Sequence, residues 1–310
     1  MHFIRYIFAP LLSFGLLASC SLDESSHFYS TETNYEVSLN KNASIVHNTS
    51  KVLEQKTILD YQYGKNPKQV CDIYLPKGRT FNKTKVLVLL HGGGWINGDK
   101  AGMKKYIKEI QQRNPRHAIV NMNYRLANEN TYAFPNQFND LQLLLQDLKN
   151  NARDFQINPE FGLIGASAGA HIAMMYDYTY DQEDAVKFVC SMVGPTDFTH
   201  SYYQNRPDFQ DLLNLLVDPT VYQNISENVE VLSPAHQVSN MTSPTIMFYG
   251  ENDPLVPIEN AYVLNEKLDL FNIEKDLEVY SGGHNNWADS DYKNLHNTLS
   301  TFIEEHLPIN

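Results

Sequence analysis

The sequence predicts an α/β protein: a mostly parallel central sheet flanked by helices, with an insertion over its site. Three observations carry this. Nearly continuous apolar runs such as Lys85 to Leu90 have the character of strands buried on both faces. Between them lie segments with apolar residues at helical spacing, as in Pro135 to Phe155 with Phe138, Leu141, Leu145 and Leu148. One run, Phe161 to Ile164, ends directly in Gly165-Ala166-Ser167-Ala168-Gly169. That is a strand-to-helix turn so sharp that small residues must flank it, and it leaves the serine hydroxyl exposed. Alternating strands and helices joined by right-handed crossovers give a parallel sheet covered on both sides.

Composition sets the outer limits. The chain has 310 residues, 42% of them hydrophobic, which supports a sizeable core in one large domain or two small ones. Its 24 Lys+Arg stand against 36 Asp+Glu, a formal charge of -12, and no long basic run occurs. A nucleic-acid partner, whose phosphates need clustered cations, is therefore not expected.

At the N-terminus Arg5 precedes an apolar stretch, Tyr6 to Leu17, too short to span a bilayer but suited to the core of a signal peptide over residues 1–19. The stretch closes on Leu17-Ala18-Ser19-Cys20, which resembles a bacterial lipobox. The resemblance implies lipidation of Cys20 and export as a membrane-anchored lipoprotein. Ser21 with Asp23-Glu24 close behind is similar to the tether of outer-membrane, surface-exposed members. Residues 20–51 are polar, rich in Ser, Asn and Thr, and read as a linker. Cys71 and Cys190 fall inside strand-like runs and are expected as buried free thiols, since a domain this large needs no covalent staple.

The main domain occupies 52–310. Ile58 to Tyr63 and Val70 to Leu75 form a strand pair around a turn at Gly64 to Pro67, expected at the sheet edge. Lys85 to Leu90 opens into His91-Gly92-Gly93-Gly94-Trp95. Asp99 can cap a helix running to about Arg113, with Met103, Tyr106, Ile107 and Ile110 on one face. A strand over His117 to Asn123 precedes the helix Pro135 to Phe155, where Asp140 near the start suits the helix dipole. Behind the serine come a helix, Ala168 to Tyr178, and a strand, Val186 to Val193. Pro195 to Ser243 then breaks the alternation, with one helical piece around Phe209 to Val217, and is expected to cover the site as a cap-like insertion. The order resumes with a strand at Thr245 to Tyr249, a helix at Ile258 to Leu270, a strand at Asp276 to Tyr280 and a final helix at Tyr292 to Phe302.

A serine hydroxyl is a poor nucleophile at neutral pH, so Ser167 needs a base, and the base needs an orienting carboxylate. His284 is singled out by its place after the last strand, within Gly282-Gly283-His284-Asn285; His171, four residues beyond the serine, reads as packing. Asp253 follows the strand Thr245 to Tyr249, with Asp197 and Glu251 as rivals. The oxyanion formed on attack needs backbone donors, which the glycines Gly93 and Gly94 and the N–H of Ala168 can supply. Trp95 and Trp287 flank the glycine loop and the histidine and are candidates for the substrate wall.

Together, His91-Gly-Gly-Gly-Trp95 with Gly98-Asp99-Lys100, Asn123-Tyr124-Arg125-Leu126, Gly165-Ala-Ser167-Ala-Gly169, Asp253-Pro-Leu-Val-Pro257 and Gly283-His284 resemble a serine esterase of the α/β-hydrolase superfamily. The similarity is to its hormone-sensitive-lipase-like and bacterial feruloyl- or acetyl-esterase-like branch. It covers the chain from about Val52 onward and implies that family's fold, its Ser-Asp-His order, and the oxyanion role of the glycine loop. Two departures stand out: Ala166 and Ala170 around the serine, where many relatives carry Asp and Gly, and Ala127-Asn128-Glu129 where many carry Ala-Pro-Glu.

The expected activity is hydrolysis of a short-acyl or aryl carboxylic ester, with acetyl or feruloyl groups of polysaccharides suggested by the resemblance alone. An aryl-formamidase-like amide hydrolase and a catalytically inactive surface-tethered binding protein are the competing readings. Neither a cofactor nor a metal is expected, because there is no His-Glu-x-x-His motif and no paired Cys or His spacing.

Overall fold

The structure is a computed structural model that describes residues 52–310. The signal segment 1–19, the linker 20–51 and Cys20 lie outside the described residues. Eight strands form one sheet: β1 (Lys56–Gln62), β2 (Val70–Leu75), β3 (Val86–Leu90), β4 (Ala118–Met122), β5 (Phe161–Ala166), β6 (Val186–Met192), β7 (Thr245–Gly250) and β8 (Lys275–Tyr280), in the order β1-β2-β4-β3-β5-β6-β7-β8. From β4 to β8 every neighbouring pair is parallel, while β1 and β2 add an antiparallel edge. The strand order reverses around β3 and β5, and in open α/β sheets the carboxyl ends at such a reversal form a crevice.

The helices are α1 (Lys104–Arg113), α2 (Asn136–Asn150), α3 (Ala152–Phe155), α4 (Ala168–Thr179), α5 (Ser201–Gln204), α6 (Phe209–Leu216), α7 (Pro234–Gln237), α8 (Glu259–Leu270) and α9 (Asp289–His306). All five residues of β3 are buried, and they alternate between two apolar layers. Val86, Val88 and Leu90 point into the larger layer with α2 and α4, while Leu87 and Leu89 face the smaller layer with Ile107 and Ile110 of α1 and Leu295 and Leu299 of α9. A strand clad on both faces reads as an unbroken apolar run, and this one does.

Local chemistry changes two expected helices. A 3₁₀ turn, Lys100–Met103, stands before α1, and the Asp99 carboxylate accepts from Ala101 N–H at 2.8 Å at its start. The helix expected to continue to Phe155 breaks at Asn151, whose side-chain amide donates to the Asp147 carbonyl at 2.9 Å and competes with the helical pattern. The segment after β6 holds more regular structure than one helix, with α5, α6, α7 and two 3₁₀ turns between residues 195 and 243. Cys71 and Cys190 are buried and unpaired. No described helix is long and apolar enough to cross a membrane.

Candidate active site

Ser167 sits between β5 and α4 at φ 52°, ψ -119°, a left-handed conformation that a side chain tolerates only where the surroundings enforce it. Close backbone contact enforces it here. A Cβ on Gly165 would stand 2.4 Å from the Ala170 backbone, and one on Gly169 would stand 2.3 Å from the Leu90 carbonyl oxygen. The start of α4 is thereby pressed onto the end of β3, where the glycine loop begins.

His284 lies in the loop between β8 and α9. Its Nε2 is 3.0 Å from Ser167 Oγ, and its Nδ1 is 2.7 Å from Asp253 Oδ2. Asp253, after β7, has a fully buried carboxylate whose other oxygen accepts from the N–H groups of Leu255 at 2.8 Å and Val256 at 3.0 Å. The two loops are joined by backbone: Asn252 N–H donates to Gly282 O, and a Cβ on Gly250 would fall 2.2 Å from Gly283 O. Trp287 Nε1–H donates to Gly283 O at 2.8 Å and fixes the loop from behind. The rivals for the acid lie elsewhere: Asp197 accepts from Thr199 and faces His236 at 3.3 Å, and Glu251 points to solvent.

Across the crevice, Gly93 (φ 131°) and Gly94 (φ 59°) hold conformations that other residues rarely adopt. Among the described residues, the N–H groups of Gly93, Gly94 and Ala168 donate to no carbonyl or side chain. Three unspent donors beside a serine hydroxyl suit a developing oxyanion. Several contacts lock the loop. The Tyr124 hydroxyl donates to His91 O at 2.5 Å with the two rings stacked, and His91 Nδ1 lies 2.7 Å from Gly92 O. Burial holds the His91 pKa below its usual value, so the ring stays neutral. Asn123 accepts from Lys100 N–H and donates to Asp99.

Sequence reasoning passed over some of these supports. Gln137, fully buried in α2, donates from Nε2 to Trp95 O at 2.8 Å and to Arg125 O at 2.7 Å. A polar residue on the same helical face as Leu141, Leu144 and Leu148 was the available signal. Asp140 lies past the first turn of α2, and its carboxylate is buried against the Arg125 guanidinium and also accepts from Gln69 at 2.7 Å.

The two tryptophans border the cavity but are mainly built into the core, each 8% exposed. Trp95 packs edge-on against Phe134, His171 and Phe198. His171 is bonded at both ring nitrogens, accepting from Trp95 Nε1–H at 3.3 Å and donating to Leu232 O at 2.8 Å. Burial lowers its pKa to about 4.

The cavity above Ser167 measures about 740 Å³. Ser167, His284 and the glycine loop form its floor, and Phe198, Tyr203, Arg206, Phe209 and Leu212 from the 195–243 segment form one wall. Among the described residues no cluster of three or more His, Cys, Asp or Glu side chains could hold a metal ion.

A family profile described as BD-FAE matches residues 71–268. The esterase LipC of Mycobacterium tuberculosis is 24% identical over 221 residues, covering 66% of this chain and 53% of the relative. The chlorogenic acid esterase of Aspergillus niger is 28% identical over 134 residues, covering 38% of this chain and 26% of the relative. The chain thus spans about half the length or less of these curated relatives. Among solved structures, a truncated carbohydrate esterase from gut microbiota superposes with a TM-score of 0.64 at 16% identity, covering 79% of this chain and 95% of the other. The acetyl ester-xyloside bifunctional hydrolase of Caldicellulosiruptor lactoaceticus gives 0.63 at 16% identity, with 84% and 100% covered. At these identities the superpositions establish the fold.

Proposed function

The chain belongs to the BD-FAE family, and from that premise we propose that it hydrolyses carboxylic esters through an acyl-enzyme on Ser167. The carrying observation is the unbroken line from Asp253 through His284 to Ser167, with hydrogen-bond distances of 2.7 and 3.0 Å. His284 donates Nδ1–H to Asp253, which leaves Nε2 free to take the serine proton as Oγ attacks the ester carbonyl. Negative charge moves to the carbonyl oxygen, and the N–H groups of Gly93, Gly94 and Ala168 receive it. Collapse returns the His284 proton to the departing alcohol. Water then gives its proton to the same nitrogen and attacks the acyl-serine, and collapse passes that proton to Ser167 Oγ as the carboxylic acid leaves.

Short-acyl and aryl esters are the proposed substrates, with acetyl or feruloyl groups on polysaccharides as the natural form. Support comes from the apolar wall of Phe198, Phe209 and Leu212, and from the names of the carbohydrate esterase and acetyl ester-xyloside hydrolase that share the fold. Export and anchoring through a lipidated Cys20 belong to the same proposal, supported by Leu17-Ala18-Ser19-Cys20. Such a tether would hold the catalytic domain at a membrane surface facing polymeric substrate.

The test is turnover of nitrophenyl esters of increasing acyl length and of acetylated xylan, by the parent and by Ser167→Ala. Loss of about 10⁵-fold or more in kcat is expected for the variant. Equal rates in the two proteins would overturn the mechanism. Globomycin-sensitive processing and palmitate labelling that vanish with Cys20→Ala check the anchor.

A further inference from the structure

The cavity has a second wall, on the opposite side of the sheet from the 195–243 segment. Met103, Lys105 and Tyr106 reach it from the turn before α1 and from α1 itself, Trp287 from the loop before α9 and Tyr292 from the first turn of α9. The two walls each carry one cation, and the two cations differ. Arg206 is neutralised by Asp208 through paired contacts of 3.0 and 2.7 Å. Lys105 has no carboxylate at ion-pair distance among the described residues; its ammonium instead sits 4.9 Å from the Tyr106 ring centre and 4.7 Å from that of Tyr292. Aromatic faces from two separate helices hold a cation in place without cancelling its charge. The one carboxylate lining this wall, Asp99, is engaged, accepting from Ala101 N–H and from the Asn123 amide, and the neighbouring Lys100, outside the cavity lining, pairs with Asp60 and Asp72. Lys105 is exposed to solvent across the cavity, and partial desolvation of its ammonium draws its pKa below the usual lysine value.

We propose that Lys105 receives a carboxylate carried by the ester substrate, so that the site prefers acidic esters over their neutral counterparts. The proposal rests on the ester-hydrolase reading above and adds the chemical class of the substrate. A carboxylate can belong to the alcohol half, as on an acidic sugar or a hydroxyacid, or to the acyl half, as in a dicarboxylic half-ester. Lys105 lies against Tyr292, and both line the same cavity as Ser167 and His284, so a charge on either half of a bound ester falls within the space it faces.

Matched pairs test this with the full-length protein. Carrying the acid on the alcohol, 4-acetoxybenzoate is compared with methyl 4-acetoxybenzoate; carrying it on the acyl group, 4-nitrophenyl hemisuccinate is compared with its methyl ester. The ratio of kcat/KM, acid over methyl ester, is expected to fall about fivefold in Lys105→Met and to be retained in Lys105→Arg, the size of one partly screened ion pair. The same ratio should shrink as salt rises. Whichever pair responds assigns the half of the substrate that faces Lys105. An unchanged ratio for both pairs in Lys105→Met would overturn the proposal, as would loss in Lys105→Arg equal to that in Lys105→Met. Calorimetric binding of the same four esters to Ser167→Ala and to Ser167→Ala/Lys105→Met reads the contact without turnover. A preference for the acids that disappears in the double variant supports Lys105 even if the serine mechanism fails, and absence of any preference in Ser167→Ala refutes Lys105 alone.

Discussion

Of the histidines near Ser167, two have both ring nitrogens engaged. His284 spans a buried carboxylate and the serine hydroxyl; His171, four residues beyond Ser167, spans an indole N–H and a backbone carbonyl. The residue type is the same and the consequence opposite. In the proposed mechanism, a carboxylate at Nδ1 favours the imidazolium formed when the serine gives up its proton. His171 has no anion to meet such a charge and lies wholly out of water, so its pKa drops to about 4 and it remains a neutral packing element. Environment assigns the role, and proximity to the serine in sequence does not.

The largest expected effect breaks the His284 side of this comparison. His284→Ala should lower kcat on nitrophenyl acetate by about 10⁵, and Asp253→Asn by about 10⁴ because the wrong tautomer is then favoured. A steady-state rate within tenfold of the parent for either variant would remove that residue from the relay. Next in size is Gly169→Ala. Its Cβ would meet the Leu90 and His91 carbonyl oxygens at 2.3 and 2.4 Å, forcing the start of α4 away from the glycine loop. A displacement near 1 Å should cost about 10² in kcat while the fold persists; circular dichroism and rate measured on the same sample separate the two.

The smallest effect sharpens the His171 side and is read as stability against pH. A histidine with folded pKa of about 4 contributes stability in full above its unfolded value near 6.5, and loses it as pH falls toward 4. Asp177, also on α4, acts in reverse. Burial first, and then Asp181 and Asp184, push its pKa to about 7 against the hydrogen bonds from Ser243. Its contribution is full below the ordinary carboxylate pKa and is lost as pH rises through 7. Between about pH 4 and 6.5 the two slopes oppose each other, each at most about 1.4 kcal/mol per pH unit. Urea midpoints across this window should therefore rise more steeply with pH in Asp177→Asn, and flatten or reverse in His171→Gln.

Much of this arrangement was legible in the residues. Lys85 to Leu90 reads as a doubly buried strand because β3 is clad on both faces, and Gly165 to Gly169 reads as a turn because backbone presses on backbone there. Asp253 and His284 were singled out by their places after strands, since side chains at carboxyl ends converge on the crevice. What stayed hidden depends on distant partners. Nothing beside Asp140 in sequence announces Arg125, and nothing near Gln137 announces the Trp95 carbonyl it holds. The break at Asn151 escaped notice because apolar periodicity carries across it, while one side-chain amide ends the helix. Trp95 and Trp287 border the cavity, but their N–H groups turn inward to His171 and Gly283.

The 117 residues that separate Ser167 from His284 along the chain also bear on how activity returns after unfolding. The glycine loop, the serine and the histidine arrive on three strands, β3, β5 and β8, which meet only when the parallel sheet has closed from its middle to its far edge. Such non-local pairings form late, because chain entropy is lost before contacts compensate for it. Helical signal can recover while the crevice is still open, and ester turnover then becomes a reporter of the final closure, silent in any collapsed state that merely resembles the native one.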